Sequence, residues 1–116
     1  MITYLAIPYS FNPELSFEIA NEVAAKLMLA GKIVFSPVSH SHKIAEHLPE
    51  PERSSHNFWM CEDLPILDVC GELLVVVIGE IGHQLIAESK GCCDEIERSM
   101  IRQIPIKYYQ YDFKKE

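Results

Sequence analysis

The stretch ELLVVVIG (72–79) constrains the fold more than any other part of the chain, because six aliphatic side chains run without a break between a glutamate and a glycine. A strand with one wet face alternates apolar and polar residues, so an unbroken run describes a strand covered on both faces. It is far too short to cross a bilayer, which takes about 20 residues. Strands buried this way belong to parallel sheets whose crossover helices supply the cover. The rest of the chain therefore has to provide further strands and amphipathic helices in alternation.

It does so. ITYLAI (2–7) is a short β-rich run stopped by Pro8, and Asn12-Pro13 announces a helix, with Asn12 as N-cap and Pro13 at the first helical position. Leu15, Ile19, Val23, Leu27 and Ala30 then recur at helical spacing until Gly31. KIVFSP (32–37) reads as a second strand. The prolines and charges of VSHSHKIAEHLPEPERSS (38–55) predict a loop with little regular structure, and loops of that length are usually functional. Ser54 or Ser55 can cap a helix through Phe58, Trp59, Leu64 and Leu67, which Pro65 should kink or restart just after Asp63. Beyond the 72–79 strand, a loop from Gly79 to Gly91 leads to a helix ending near Gln103. PIKYYQY (105–111) forms the last strand, and the KKE tail should fray.

This order predicts an α/β fold: a doubly wound, flavodoxin-like or Rossmann-like parallel sheet of four to five strands, flanked by helices and joined by right-handed crossovers. The 116 residues, 48% of them hydrophobic, suit one domain spanning 1–116. Seventeen acids against ten Lys and Arg leave a formal charge of −7 with no basic stripe, which argues against a nucleic-acid polymer as partner. A single nucleotide is compatible with it, since a few local N–H donors outweigh a distant, screened net charge. MITYLAIPYS lacks the basic start and cleavage site of a signal peptide, and no apolar run is long enough for a membrane span, so a cytoplasmic protein away from the membrane is expected. Cys61, Cys70, Cys92 and Cys93 form no C-x-x-C pair and are expected to be reduced thiols.

Doubly wound sheets bind ligands outside the carboxyl ends of their strands. That nominates Pro8 to Ser10, Ser39 to His42, and the segment from Gly79 to Gly91. Within SKGCCDEIERS (89–99), Ser89, Lys90 and Gly91 run into a helix N-terminus, whose free N–H groups and dipole suit a phosphate, although Ser89 could simply cap the helix. Cys92, Cys93, Ile96 and Met100 define its apolar face. Neither Glu95 nor Glu97 points straight at that face, and Glu97 is somewhat nearer. Glu95 is closer to the helix start and to the crevice. His40 and His42 form an H-x-H at a strand end that could hold a base or a ribose hydroxyl; a metal would want more ligands than they provide, and none is expected. Trp59 could stack on a base or sit in the core.

Several segments resemble the nucleoside 2-deoxyribosyltransferase superfamily, including its branch of 2′-deoxynucleoside 5′-phosphate N-hydrolases, and the likeness extends over nearly the whole chain. YLAIPY is similar to the family's first strand, EDLPILDVCGELLVVV to its Asp-Leu helix and third strand, and SKGCCDEI to its Ser-x-Gly-x-x-x-Glu signature. IPYS, FSPVSHSHKIA and WMCED match uncharacterised members. The resemblance implies Glu95 as nucleophile, Asp63 as the acid or base-positioning group, and Tyr4 as the residue that orients Glu95. Ser89 stands where the nucleotide hydrolases have a phosphate-binding serine and the transferases an aspartate. With Gly91, and with Pro8 and Ser10 after the first strand, it points to a nucleoside 5′-monophosphate. Gly71 replaces an aspartate usual in the family, and no arginine near the first strand matches the one used for phosphate there.

The implied activity is cleavage of a base–sugar bond, with no cofactor and with sites shared in a homo-oligomer. A deoxyribosyltransferase acting on a nucleoside, a nucleotide-binding module without chemistry, and a purely structural α/β domain are the alternatives.

Overall fold

The computed structural model describes residues 1–113, so the expectation of a frayed KKE tail lies outside the described residues. Four parallel strands form one sheet in the order β2-β1-β3-β4: β1 (Ile2–Ala6), β2 (Ile33–Phe35), β3 (Glu72–Ile78) and β4 (Ile106–Tyr111). Thr3 pairs with Glu72 and Ala6 with Val75 across the centre, and Leu73 pairs with Ile106 on the outer side. The chain steps one way from β1 to β2 and the other way thereafter. Crossovers of one hand then put the first helix on one face and the later ones on the other.

The strand residues divide accordingly. Leu5, Ile7, Leu74, Val76 and Ile78 pack with Ile19, Ala20, Val23, Ala24 and Leu27 of α1 (Pro13–Leu29). Tyr4, Ala6, Leu73, Val75 and Val77 face the other way, onto Leu67 of α3 (His56–Leu67), Ile86 of α4 (Gly82–Glu88) and Cys92 of α5 (Lys90–Arg102). All seven residues of β3 are buried, as the apolar run requires. Asn12 caps α1, accepting from Leu15 N at 3.3 Å, with Pro13 in the first turn. The flavodoxin-like α/β architecture is thus present with four strands.

Three segments differ from the expectation. Residues 38–55 are largely ordered: α2 (Pro37–Ile44) is followed by 3-10 turns at Ala45–His47 and Glu52–Ser54. Ser36 caps α2 by accepting from Ser39 N at 3.4 Å, with Pro37 next, the same cap-and-proline device as Asn12-Pro13. The presumed loop after β3 contains α4. Pro65 lies inside α3 without dividing it: it is on the exposed side, where the carbonyl of exposed Cys61, which loses its i+4 donor, can turn to water.

Gly79 turns the chain at the end of β3 with φ +62, a left-handed conformation that glycine takes without strain. At Gly82 a Cβ would lie 2.5 Å from Val77 Cγ1 and 2.8 Å from the Val77 carbonyl carbon, so α4 seats its backbone directly on β3. Gly82→Ala is expected to destabilise by about 1–3 kcal/mol, the usual cost of overpacking. A thermal melt reads this, and an unchanged midpoint would mean that α4 rides free of the sheet.

Candidate active site

The site is built around the inward face of α5. Ser89 caps the helix, its Oγ accepting from Cys92 N at 3.2 Å. The buried positions are Cys92, Glu95 and Ser99, with Ile96 half-buried; Cys93, Glu97 and Met100 are exposed. This corrects the apolar face anticipated from spacing, and with it the ranking of Glu97 as the nearer acid. The helix is rotated to bring a carboxylate inside, and a buried carboxylate needs a partner.

Tyr4 is that partner. It is fully buried in β1, and its hydroxyl donates to Glu95 Oε2. Asp63, buried on α3, lies near enough for its charge to act on both Tyr4 and Glu95. Burial pushes the Glu95 carboxyl up to about 8; the Tyr4 hydrogen bond opposes this, and the charges of Asp63 and Asp94 add to it. Burial and the neighbouring Glu62 raise Asp63 to about 6, with His40 pulling the other way. Tyr4 stays protonated far above the usual tyrosine range, through burial first and then the two acids. Burial likewise raises the Cys92 thiol.

α3 and α5 are pinned together on either side of these carboxyls. His56 Nε2 lies 2.6 Å from Asp94 Oδ2 at one end. At the other, Arg98 donates to both oxygens of Asp68 at 2.7 and 2.6 Å, and Arg102 reaches Oδ2 at 3.4 Å. The Arg98 hydrogen bonds hold the Asp68 carboxyl below its usual range. Nothing in the spacing of His56 and Asp94 signals their pairing, because it exists only once α3 and α5 lie side by side.

The residues proposed for ligand binding divide into two groups. Ser89 and Gly91 lie together at the start of α5, and a Cβ on Gly91 would sit 4.0 Å from Ser89 Oγ and 3.8 Å from Met60 Cε. Pro8 is buried, with its carbonyl accepting from Ser16 Oγ at 2.6 Å, and Ser10 is exposed in the turn beyond it. His40 and His42 sit on α2 rather than at a strand end, and two residues along a helix point about 200° apart. His40 is exposed and close enough to Asp63 for its charge to act there. His42 is buried elsewhere, between Tyr9 and Glu14. The two therefore do not share one face.

A hollow of about 240 Å³ is lined by His40, Ser41, Ile44, Leu48, Phe58, Trp59 and Glu62. Trp59 is held on its wall by Nε1 donating to the Arg53 carbonyl at 2.9 Å, so it stands between core and cleft. A shallower groove of about 400 Å³ runs between α1 and β2 and also ends at His40. Neither is lined by Tyr4, Asp63 or Glu95, whose polar atoms lie beneath the surface. Among the described residues, no group of three or more His, Cys, Asp or Glu converges as a metal site. No helix there is long and apolar enough to cross a membrane. All four cysteines are free thiols, Cys61 and Cys93 exposed, Cys70 and Cys92 buried.

No curated protein matches the chain. Among solved structures, the 2-deoxyribosyltransferase from the psychrotolerant bacterium Bacillus psychrosaccharolyticus is similar over 100% of this chain and 77% of its own, with a TM-score of 0.66 and 21% sequence identity. The chain thus has a nucleoside 2-deoxyribosyltransferase-like fold. The family profile described as domain of unknown function DUF1937 matches residues 1–111, and the chain belongs to that family.

Proposed function

We propose that this protein cleaves the N-glycosidic bond of a nucleoside 5′-monophosphate, with Glu95 as nucleophile. The observation that carries the reading is a buried carboxyl, Glu95, bonded to the Tyr4 hydroxyl, with a second buried carboxyl, Asp63, near enough for its charge to act on both. Two buried carboxyls side by side have little structural value, since apolar residues would pack there at lower cost. They suit a reaction in which positive charge develops on a sugar and a leaving group needs a proton.

With Asp63 raised to about 6 and Glu95 to about 8, the pair shares one proton across that interval. As the base departs, the sugar gains oxocarbenium character, and that charge favours ionised Glu95. Its proton passes to Asp63 or to the leaving base, and Glu95 Oε then bonds to the anomeric carbon. Tyr4, donating to Oε2, stabilises the carboxylate and fixes its direction. Water on the glycosyl intermediate gives hydrolysis, and a second base gives transfer. Ser89 and Gly91 at the start of α5 suit the 5′-phosphate, since a hydroxyl and helix N–H groups favour an anion where an aspartate would repel it. His40, Pro8 and Ser10 complete the ligand's surroundings. The active form in this reading is a single-domain chain assembled as a cytoplasmic homo-oligomer, with no cofactor.

Incubation with a panel of ribo- and deoxynucleoside monophosphates, and with the matching nucleosides, tests this by release of free base. Saturable binding without release would sink the mechanism and leave a nucleotide-binding module. Activity should follow a bell in pH, because one ionised and one protonated carboxyl are needed. Below about 6 both are protonated, and above about 8 both are ionised. Tyr4→Phe removes the bond that lowers Glu95, so it should cut kcat by about 10–100-fold and move the alkaline limb upward. A flat pH profile would remove the carboxyl pair from the chemistry.

A further inference from the structure

His42 is buried and has both ring nitrogens occupied. Nε2 lies 3.0 Å from Glu14 Oε1, and Nδ1 lies 2.6 Å from the Tyr9 hydroxyl. A carboxylate only accepts, so Nε2 carries the hydrogen. In the neutral ring Nδ1 is then bare and accepts from Tyr9. Phe17 stacks on the ring with centroids 4.3 Å apart and planes 22° apart, and Tyr9 meets its edge at 5.8 Å and 75°. The imidazole therefore joins three elements: α2, on which it sits, the first turn of α1 through Glu14, and the segment after β1 through Tyr9.

That segment, residues 8–12, crosses the carboxyl end of β1 at the point where the strand order reverses. Its other anchors are the Pro8 carbonyl, taken by the buried Ser16 hydroxyl at 2.6 Å, and Asn12, whose N–H donates to the Tyr9 carbonyl at 3.3 Å and whose side chain caps α1. From α2 the segment is reached by the bond of His42 to Tyr9 at 2.6 Å. Glu14 is largely exposed, so its bond orients the ring more than it holds the helix.

We infer that His42 is a positioning residue: it touches no ligand, and through Tyr9 it sets the β1–α1 loop in the conformation that receives the ligand. This deepens the proposed function and rests on it for the ligand's identity. Glutamine at position 42 offers one acceptor and one donor, as the neutral ring does, whereas leucine offers neither at similar bulk.

The test has one readout without ligand and one with it. In amide hydrogen exchange, residues 9–12 should exchange faster in His42→Leu and Tyr9→Phe and at the parent rate in His42→Gln. Calorimetry with nucleoside monophosphates, in a Glu95→Gln background that prevents turnover, should show dissociation constants weakened by about tenfold in His42→Leu and within about twofold of the parent in His42→Gln. His42→Leu and Tyr9→Phe should be non-additive, because they break the same bond. A lower melting temperature with unchanged exchange and affinity would reduce His42 to a structural role and overturn the inference. Equal weakening in His42→Leu and His42→Gln would overturn it too, by placing the ring itself against the ligand. If the parent binds none of these nucleotides, the proposed function fails, and the exchange data still decide whether His42 sets the loop.

Discussion

Glu95→Gln is expected to abolish base release and, above pH 8, to make the protein more stable. The amide cannot attack an anomeric carbon, and removal of a covalent nucleophile costs at least about 10³-fold in turnover. The stability gain follows from linkage. Glu95 is raised from 4.5 to about 8 in the folded chain, so between those values the folded state binds the proton that the unfolded state has lost. Stability from this group is therefore greatest below pH 4.5 and falls as pH rises toward 8. Glutamine keeps an acceptor for the Tyr4 hydroxyl and carries no charge to desolvate, so it removes a cost of about 1–3 kcal/mol at pH 8.5 and changes little at pH 4. Melting curves at the two pH values, read beside the base-release assay, check both halves. Retained turnover would sink the assignment of Glu95, and a lower melting temperature at pH 8.5 would mean that its carboxylate is stabilising rather than strained.

The fold was legible in the sequence where local chemistry and tertiary packing agree. ELLVVVIG announced a strand covered on both faces, and β3 is that strand, with α1 on one side and α3, α4 and α5 on the other. Asn12-Pro13 announced α1. The same device at Ser36-Pro37 is hidden behind the charges and later prolines of 38–55, so the sequence there has the look of a loop where the structure has α2. Gly82 obscured α4 in a similar way, since a glycine that lets a helix sit on a strand looks in sequence like one that ends a helix.

The candidate site was legible only in part, for a different reason. Helical spacing ranked Glu97 above Glu95 by assuming that the buried face of α5 is its most apolar face. The structure buries Cys92, Glu95 and Ser99 instead, and what favours Glu95 in the sequence is its place near the helix start together with the family-like spacing from Gly91. His42 lies apart from His40 because alternate residues share a direction on a strand and not on a helix. The pairing of Tyr4 with Glu95, 91 residues apart, is implied by the resemblance alone, and that of His56 with Asp94, 38 residues apart, depends on the packing of whole elements. In each case the missing information was a helix rotation, which neighbours set and composition does not.

Glu72 extends that argument to stability, and its replacement by alanine is expected to be among the most destabilising single changes away from the cleft. It opens the apolar run, yet its side chain is only 2% exposed, at the amino end of β3 opposite the candidate site. The Thr3 hydroxyl and Lys32 Nζ, at 3.0 Å, both donate to Oε2, and Lys107 Nζ lies 3.2 Å from Oε1 as an ion pair. These bonds, Thr3 first and Lys32 next, hold the carboxyl down at about 2. Here the sign is opposite to that of Glu95. The folded value lies below the unfolded 4.5, so the contribution is complete above pH 4.5 and is lost as pH falls toward 2. Both lysines are substantially exposed, which screens the pairs and leaves the survivors wet, so about 1–3 kcal/mol is expected at pH 7 rather than the full cost of a broken buried pair. Glu72→Ala and Glu72→Gln should both melt earlier than the parent at pH 7, and the gap for Glu72→Gln should narrow as pH falls from 4.5 toward about 2. Because β1 and β3 meet at Thr3 and Glu72, the loss should appear in global unfolding and not in fraying of one edge. A pH-independent gap would mean that shape, and not charge, is what Glu72 contributes at the base of the sheet.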